Sequence, residues 1–448
     1  MADTLSDITQ SLLETARKAG ADAADAVAVR DTSLTIDVRE AALEQAERSE
    51  GVDIGLRVLI GQRQANVSAS DISAETLRTM AESAVAMARE APEDPNLGLA
   101  DPADLATSWD LAALELADPA DEPDPAMLQA DALAAEAAAE GVVGVTQVQA
   151  ASAAYGAAEV HLAASNGFSG GYRRTSRSIS CVAISGNGAE MERDYDGDMR
   201  IFQADLRDPA DIGQTAGTRA ASRAGARKPR TGTYPVLFEE RISSSLIGHL
   251  LAAINGAAIA RGSSWLRDAM DTQILPEALS VIEDPHRPRV TGSRPFDAEG
   301  LPTQRRAIVE GGVLKSWTLD LATGRKLGLR STANAARGTS GPPSPSPWNI
   351  ALTQGAASPT DLLHDMGTGL LVTSMIGSTI NPTTGDYSRG ASGFWIENGQ
   401  ITHPVNECTI AGNLRDMLAR IVPANDARPH LSRVVPSLLI EGMTLAGA

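Results

Sequence analysis

Hydrophobic positions change their period along this chain, and the changes mark out its elements. In residues 4–19, Leu5, Ile8, Leu12, Leu13 and Ala16 fall on one stripe, which predicts an amphipathic helix. Two runs of period two follow. Leu34, Ile36 and Val38 alternate with Thr35, Asp37 and Arg39, and Ile54, Leu56, Val58 and Ile60 repeat the pattern. Both read as half-buried strands. A second helix starts near Ser73, a suitable N-cap, with Leu77, Met80, Ala81, Ala84, Val85 and Ala88 on its apolar face.

Prolines then punctuate residues 92–125, an acidic stretch that reads as a connection with short helical pieces. Asp124-Pro125 supplies an N-cap and a first-turn proline for an Ala-rich helix over 126–140. From Val142 to about 205 the pattern is strand-like again, interrupted by the turn-rich run from Ser165 to Tyr172. The basic segment 219–230 reads as a helix end and linker. A strand over 234–238 leads into an apolar helix, roughly 240–260. Two hairpins stand out beyond it, one turning at Gly311-Gly312 and one at Asn398-Gly399. The proline-rich segment 341–348 predicts an exposed loop. The class is α+β. Residues 1–218 form a helix-and-sheet domain, 219–232 a linker, and 233–448 a mostly antiparallel β domain.

Charge and composition narrow the function. A length of 448 residues exceeds one ordinary core. Residues 1–150 carry 29 acidic and 9 basic side chains, and the rest of the chain is close to balanced. Such a front half excludes a nucleic-acid face there, because phosphate contacts need Lys and Arg. It reads as a solvated surface, or as one that docks on a basic partner. Cys181 and Cys408 are too few and too far apart for a disulfide framework, which suits a reducing compartment. The N-terminus lacks a signal-peptide pattern, and no apolar run reaches membrane-spanning length. A cytoplasmic protein with no membrane partner is expected.

A search for self-contained chemistry returns little. The six His residues include no pair at helical spacing and no HExxH. His249 lies on the apolar helix, where a lone His is ordinarily a hydrogen-bonded core residue. No GxSxG elbow or phosphate-binding Gly loop is present. Cys408 reads as a strand interior. Asp297 and Glu299 sit near a turn, where carboxylates commonly act as caps.

Ordered blocks nevertheless make a pattern. They are Gly55-Leu56-Arg57-Val58, Ser165-Asn166-Gly167-Phe168, Phe296-Asp297-Ala298-Glu299-Gly300 with Thr303-Gln304-Arg305, and Glu310-Gly311-Gly312-Val313-Leu314. Gly393-Phe394-Trp395-Ile396-Glu397-Asn398-Gly399, Pro404-Val405-Asn406-Glu407 and Thr409-Ile410-Ala411-Gly412-Asn413-Leu414 complete the series. In this order and spacing the chain resembles the TldD/PmbA family over its whole length, on the PmbA/TldE side. The resemblance implies a two-domain fold and two kinds of subunit. TldD-like subunits carry an HExxxH-type zinc motif and a later Cys ligand. The motif region falls here on Ser244-Ser245-Leu246-Ile247-Gly248-His249, so Ser244 and Ser245 replace the first His and the Glu. Residues 427–436 hold no Cys.

The resemblance therefore implies a non-catalytic subunit with no metal or cofactor of its own. It would pair with a TldD-like catalytic subunit that holds zinc, and handle peptides or unfolded polypeptides. Phe394, Trp395, Glu397 and Asn398 are the residues expected to dock peptide. The alternative is a binding or regulatory protein that acts without proteolysis.

Overall fold

A computed structural model describes residues 4–447. Residues 1–3 and Ala448, at the outer ends of the two expected domains, lie outside the described residues. In the N-terminal half, six antiparallel strands form one sheet. From edge to edge its order is Arg63–Ala69, Ala42–Ile60, Ala23–Arg39, Val145–Ala164, Ser169–Ser185, Glu192–Arg200.

The strand Ala23–Arg39 shows how two cores share one sheet. Its even-numbered residues face helices at both ends. Ala24, Ala26 and Ala28 lie under the helices Leu5–Ala19 and Ala74–Glu90, together with Ile54, Leu56 and Val58. Leu34, Ile36 and Val38 lie under Pro125–Glu140 and Pro209–Ser222. Period two thus puts both cores on one face. Leu12 is fully buried there, and truncating it to Ala would cost about 2–5 kcal/mol. Small residues bring the second pair of helices close: a Cβ at Gly213 would strike the Ala135 carbonyl.

The caps follow the sequence. Thr4 and Asp7 make a reciprocal capping box, and Asp124 accepts from Ala126 N ahead of Pro125. The apolar helix after Phe238 is shorter than its pattern predicts. It runs over Glu240–Ala253 and stops because Asn255 caps a separate helix, Gly256–Ala260.

The C-terminal half is built on a closed sheet. Gly232–Phe238 pairs in parallel with Gly369–Ile380 and antiparallel with Leu438–Ala446. Asp386–Glu397 and Gln400–Asn413 extend the sheet from Gly369–Ile380. Gln400–Asn413 then meets Leu438–Ala446, which closes a five-stranded barrel. A smaller sheet beside it contains Val281–Glu283 and Arg306–Glu310. Both Gly-containing turns form hairpins, with Val313 opposite Glu310 and Gln400 opposite Glu397. The segment 341–348 is not simply an exposed loop. Ser344–Pro345 pairs with Ala335–Ala336, and Pro345 and Trp348 are buried. The indole of Trp348 donates to Ala333 O, which draws the segment inward.

The odd-numbered face of the N-terminal sheet meets the C-terminal half. Val27, Leu162, Phe168 and Phe296 pack there, with Trp109 edge-on to Phe296 at 4.8 Å. Beside them Asp25 binds two buried arginines, Arg57 through Nε at 2.6 Å and Arg337 from across the seam. Asp297 acts as a turn cap, accepting from the backbone N–H of Glu299, Leu301 and Ala335. Burial nonetheless pushes its pKa up to about 7.

Candidate functional site

The helix Glu240–Ala253 buries Ser243, Leu246, Ile247 and Leu250. Ser245 and His249 are four residues apart and share a face. The Ser245 hydroxyl donates to Ile242 O at 2.7 Å, within its own helix. The His249 ring stands edge-on to Tyr387, centroids 5.9 Å apart, and its Nε2 is buried without a hydrogen-bond partner. Burial, and then the charge of Arg389, hold its pKa below the usual imidazole value. The imidazole is therefore neutral at neutral pH.

The stretch 427–436 does lie against this helix, but it brings cations. Arg428 Nε donates to Glu240 Oε1 at 2.6 Å. The Arg433 guanidinium comes to 3.2 Å of where a Cβ on Gly248 would sit. Among the described residues, no group of three or more His, Cys, Asp or Glu side chains is placed to hold a metal. One imidazole, two hydroxyls and a neighbouring guanidinium do not fit Zn²⁺, which wants three or four nitrogen, thiolate or carboxylate donors. Cys408 offers no substitute. It is buried, burial pushes its pKa up to about 11, and its thiol points at Ala391 O.

Next to the start of this helix, a cleft of about 970 Å³ separates the two halves. One wall is Glu192–Tyr195, at the start of the edge strand Glu192–Arg200, and the other is the barrel at Ser374–Ile376, Gly390–Ser392 and Asn406–Thr409. The edge strand has two different faces. Asp194, Asp196 and Asp198 point inward, and Arg193, Tyr195 and Met199 point to solvent. Arginines answer the inward carboxylates. Arg241, on the helix, reaches Asp194 at 2.8 Å, and Arg207 and Arg219 share Asp196. Arg223 crosses the cleft floor from Asp194, at 3.4 Å, to the Ser392 hydroxyl, at 2.6 Å. The edge strand pairs only with Ser169–Ser185 among the described residues, and its Tyr195 carbonyl accepts from Arg219 and Arg241 at 3.2 Å each.

This cleft is not where the sequence points. Its period-two carboxylates are visible at 194, 196 and 198, but nothing in the sequence shows which half they face. Of the residues expected to dock peptide, Trp395 is buried against Tyr234, centroids 4.9 Å apart, and donates to Glu397. Phe394 is half-buried. Glu397 and Asn398 are exposed at the hairpin turn. None of the four lines the cleft. Ser244, Ser245 and His249 do share one helix with Arg241, and Arg241 holds the cleft wall.

Comparison with known proteins identifies the family of the chain. Three consecutive family models match: PmbA/TldA metallopeptidase domain 1 over residues 24–88, the central domain over 118–224 and the C-terminal domain over 231–447. The chain belongs to the PmbA/TldD family. Metalloprotease PmbA of Escherichia coli is 35% identical over 95% of this chain and 92% of its own length. The PmbA homolog of Haemophilus influenzae is 36% identical over 97% and 94%.

Solved structures agree. A Bacteroides thetaiotaomicron protein named for modulation of DNA gyrase superposes with a TM-score of 0.91 at 26% identity, over 98% of both chains. TldE of Thermococcus kodakarensis shares the fold alone, with a TM-score of 0.85 at 20% identity over 98% of this chain and 100% of that one. No helix among the described residues is long and apolar enough to cross a membrane.

Proposed function

We propose that this chain is the non-catalytic subunit of a TldD/TldE-type zinc protease complex. The observation that carries the reading is the donor set around His249. The helix that would present the metal motif offers Ser244, Ser245 and a single neutral imidazole, and the neighbouring segment offers Arg428 and Arg433. Zinc and the general base would then belong to a TldD-like partner. No step of the chemistry runs through this chain's own side chains.

This chain's contribution would be chamber wall and peptide path. A free strand edge beside a large cleft can take an extended peptide as an added strand. The edge strand Glu192–Arg200 borders the cleft through Glu192–Tyr195 and has no outer strand neighbour among the described residues, so an added strand would displace the Arg219 and Arg241 contacts at Tyr195 O. The acidic N-terminal half is the surface to which a basic partner face would dock. Residues 219–232 would link the two domains, with Arg223 fastening the linker's start to the barrel.

Co-expression with a TldD-like chain tests the proposal. The expected result is a stable complex that cleaves unfolded polypeptide, with zinc recovered in the other subunit after separation. Stoichiometric zinc and peptidase activity in this chain alone would refute it. Binding of peptide without cleavage in either state would favour a regulatory role.

A further inference from the structure

At the seam between the halves, away from the cleft, lies a recess of about 120 Å³. Its walls are apolar, with Val160 and Leu162 from the N-terminal sheet and Phe296 and Trp348 from the C-terminal half. Two arginines, Arg294 and Arg337, also line it. Tyr172, Arg294 and Ala336 are only half-buried, so the recess is reached from solvent.

The charges around it do not balance. Arg337 has a side chain only 1% exposed. One of its nitrogens binds Asp25, and its Nη2 is buried without a hydrogen-bond partner. Asp25 is already shared with Arg57. Arg294 lies over the Trp348 ring, 5.5 Å from its centroid, and donates only to the carbonyls of Thr291 and Ser293. Arg174, beside it on the Tyr172 ring, donates to the same two carbonyls, and its Nε is orphaned. Among the described residues neither Arg174 nor Arg294 has a carboxylate within ion-pair distance.

Burial, and then the charge of Arg294, push the Arg174 pKa down to about 10. The carboxylate that lines the recess, Asp297, spends its oxygens on three backbone N–H groups. Sequestered cations without an anion are costly, and proteins ordinarily supply one.

We propose that this recess binds a small monocarboxylate with a short apolar body. The arginines would supply the missing charge partner, and the aromatic and branched walls would cover the body. The volume sets the size. An apolar cavity of roughly 150 Å³ accepts benzene, with its six heavy atoms, so this one, open to solvent at its rim, suits a branched acid of about four carbons. The proposal does not rest on the partner subunit or on peptide cleavage.

Calorimetric titration of the full chain with 2-methylpropanoate, and with its uncharged amide, tests it. The expected result is saturable binding of the acid, a raised melting temperature, and roughly ten-fold weaker binding of the amide. Arg294→Met should weaken the acid by roughly ten-fold and leave the amide unchanged, and Arg294→Lys should restore part of the loss. Arg294 is half-exposed and bonded only to carbonyls, so the melting temperature of the unliganded variant reports whether it folds. If it does not fold, the comparison of acid with amide on the unaltered chain still decides. Equal affinity for acid and amide, acid binding unaffected in Arg294→Met, or no saturable binding of the acid would each overturn the proposal.

Discussion

Two of the contacts between the halves of this molecule rest on arginine and carboxylate. At the seam, Asp25 sits 2% exposed between Arg57 and Arg337, with close contacts to each. At the cleft, Arg241 of the C-terminal half reaches Asp194 at 2.8 Å, Arg223 bridges Asp194 to Ser392, and about 970 Å³ of space opens beside them. The seam uses charge as a fastener that excludes solvent. The cleft uses it as a frame that keeps two walls apart. Similar residue types therefore do opposite work, and the difference lies in burial and separation.

Breaking the seam should have the largest effect. Asp25→Ala leaves two buried guanidiniums without their anion, and a loss of about 3–5 kcal/mol is expected. Denaturant unfolding measures it, and a loss below about 1 kcal/mol would show that the seam is not a fastener. Breaking the cleft frame should cost less. Arg223→Met removes one good bond to Ser392 and two long ion pairs, and about 1–3 kcal/mol is expected. In the proposed complex, that variant should also lose more peptidase activity than stability alone explains.

The seam also carries a pH dependence. Burial first, and then neighbouring carboxylates, raise the pKa of Glu299, and burial raises Asp297 from 3.8 to about 7. Across that window the folded state holds protons that the unfolded chain has released. The stability contributed by Asp297 is thus fully present below pH 3.8 and is lost as pH rises through about 7, and the raised pKa of Glu299 acts in the same direction. Glu299→Gln should flatten that fall, as measured by unfolding at several pH values. An unchanged slope would remove Glu299 from the account.

The smallest effect is expected at His249. Its ring is neutral and its Nε2 bonds to nothing, so His249→Phe should alter stability by no more than about 1 kcal/mol. The activity of the assembled complex should be unchanged. A collapse of activity there would mean that this helix still takes part in chemistry.

Much of the fold was legible because periodicity reports local environment. The even-numbered residues of Ala23–Arg39, the Thr4 capping box and the Asp124-Pro125 start all follow from sequence. Barrel closure was not legible. The parallel contact of Gly232–Phe238 with Gly369–Ile380 joins distant segments, and no local pattern announces it. Helix length at 240–260 was misjudged because apolar spacing continues through Ile254, whereas Asn255 redirects the backbone. The reading of Ser244 and Ser245 as metal-motif positions comes only from the family resemblance. The arginines beside it needed the fold, because Arg428 and Arg433 are remote in sequence. The cleft escaped for the same reason: Asp194, Asp196 and Asp198 announce a strand without naming its partners.

The closed barrel also dictates an order of assembly. Its sealing strand, Leu438–Ala446, must find Gly232–Phe238 and Gln400–Asn413 at once, across most of the second half. The first sheet and its covering helices need no residue beyond Ser222, so they can settle while that ring is still open. Until the ring shuts, two strand edges stay unpaired. A newly made chain is then most exposed to aggregation in its second half, and a waiting partner subunit would be best placed to shield it there.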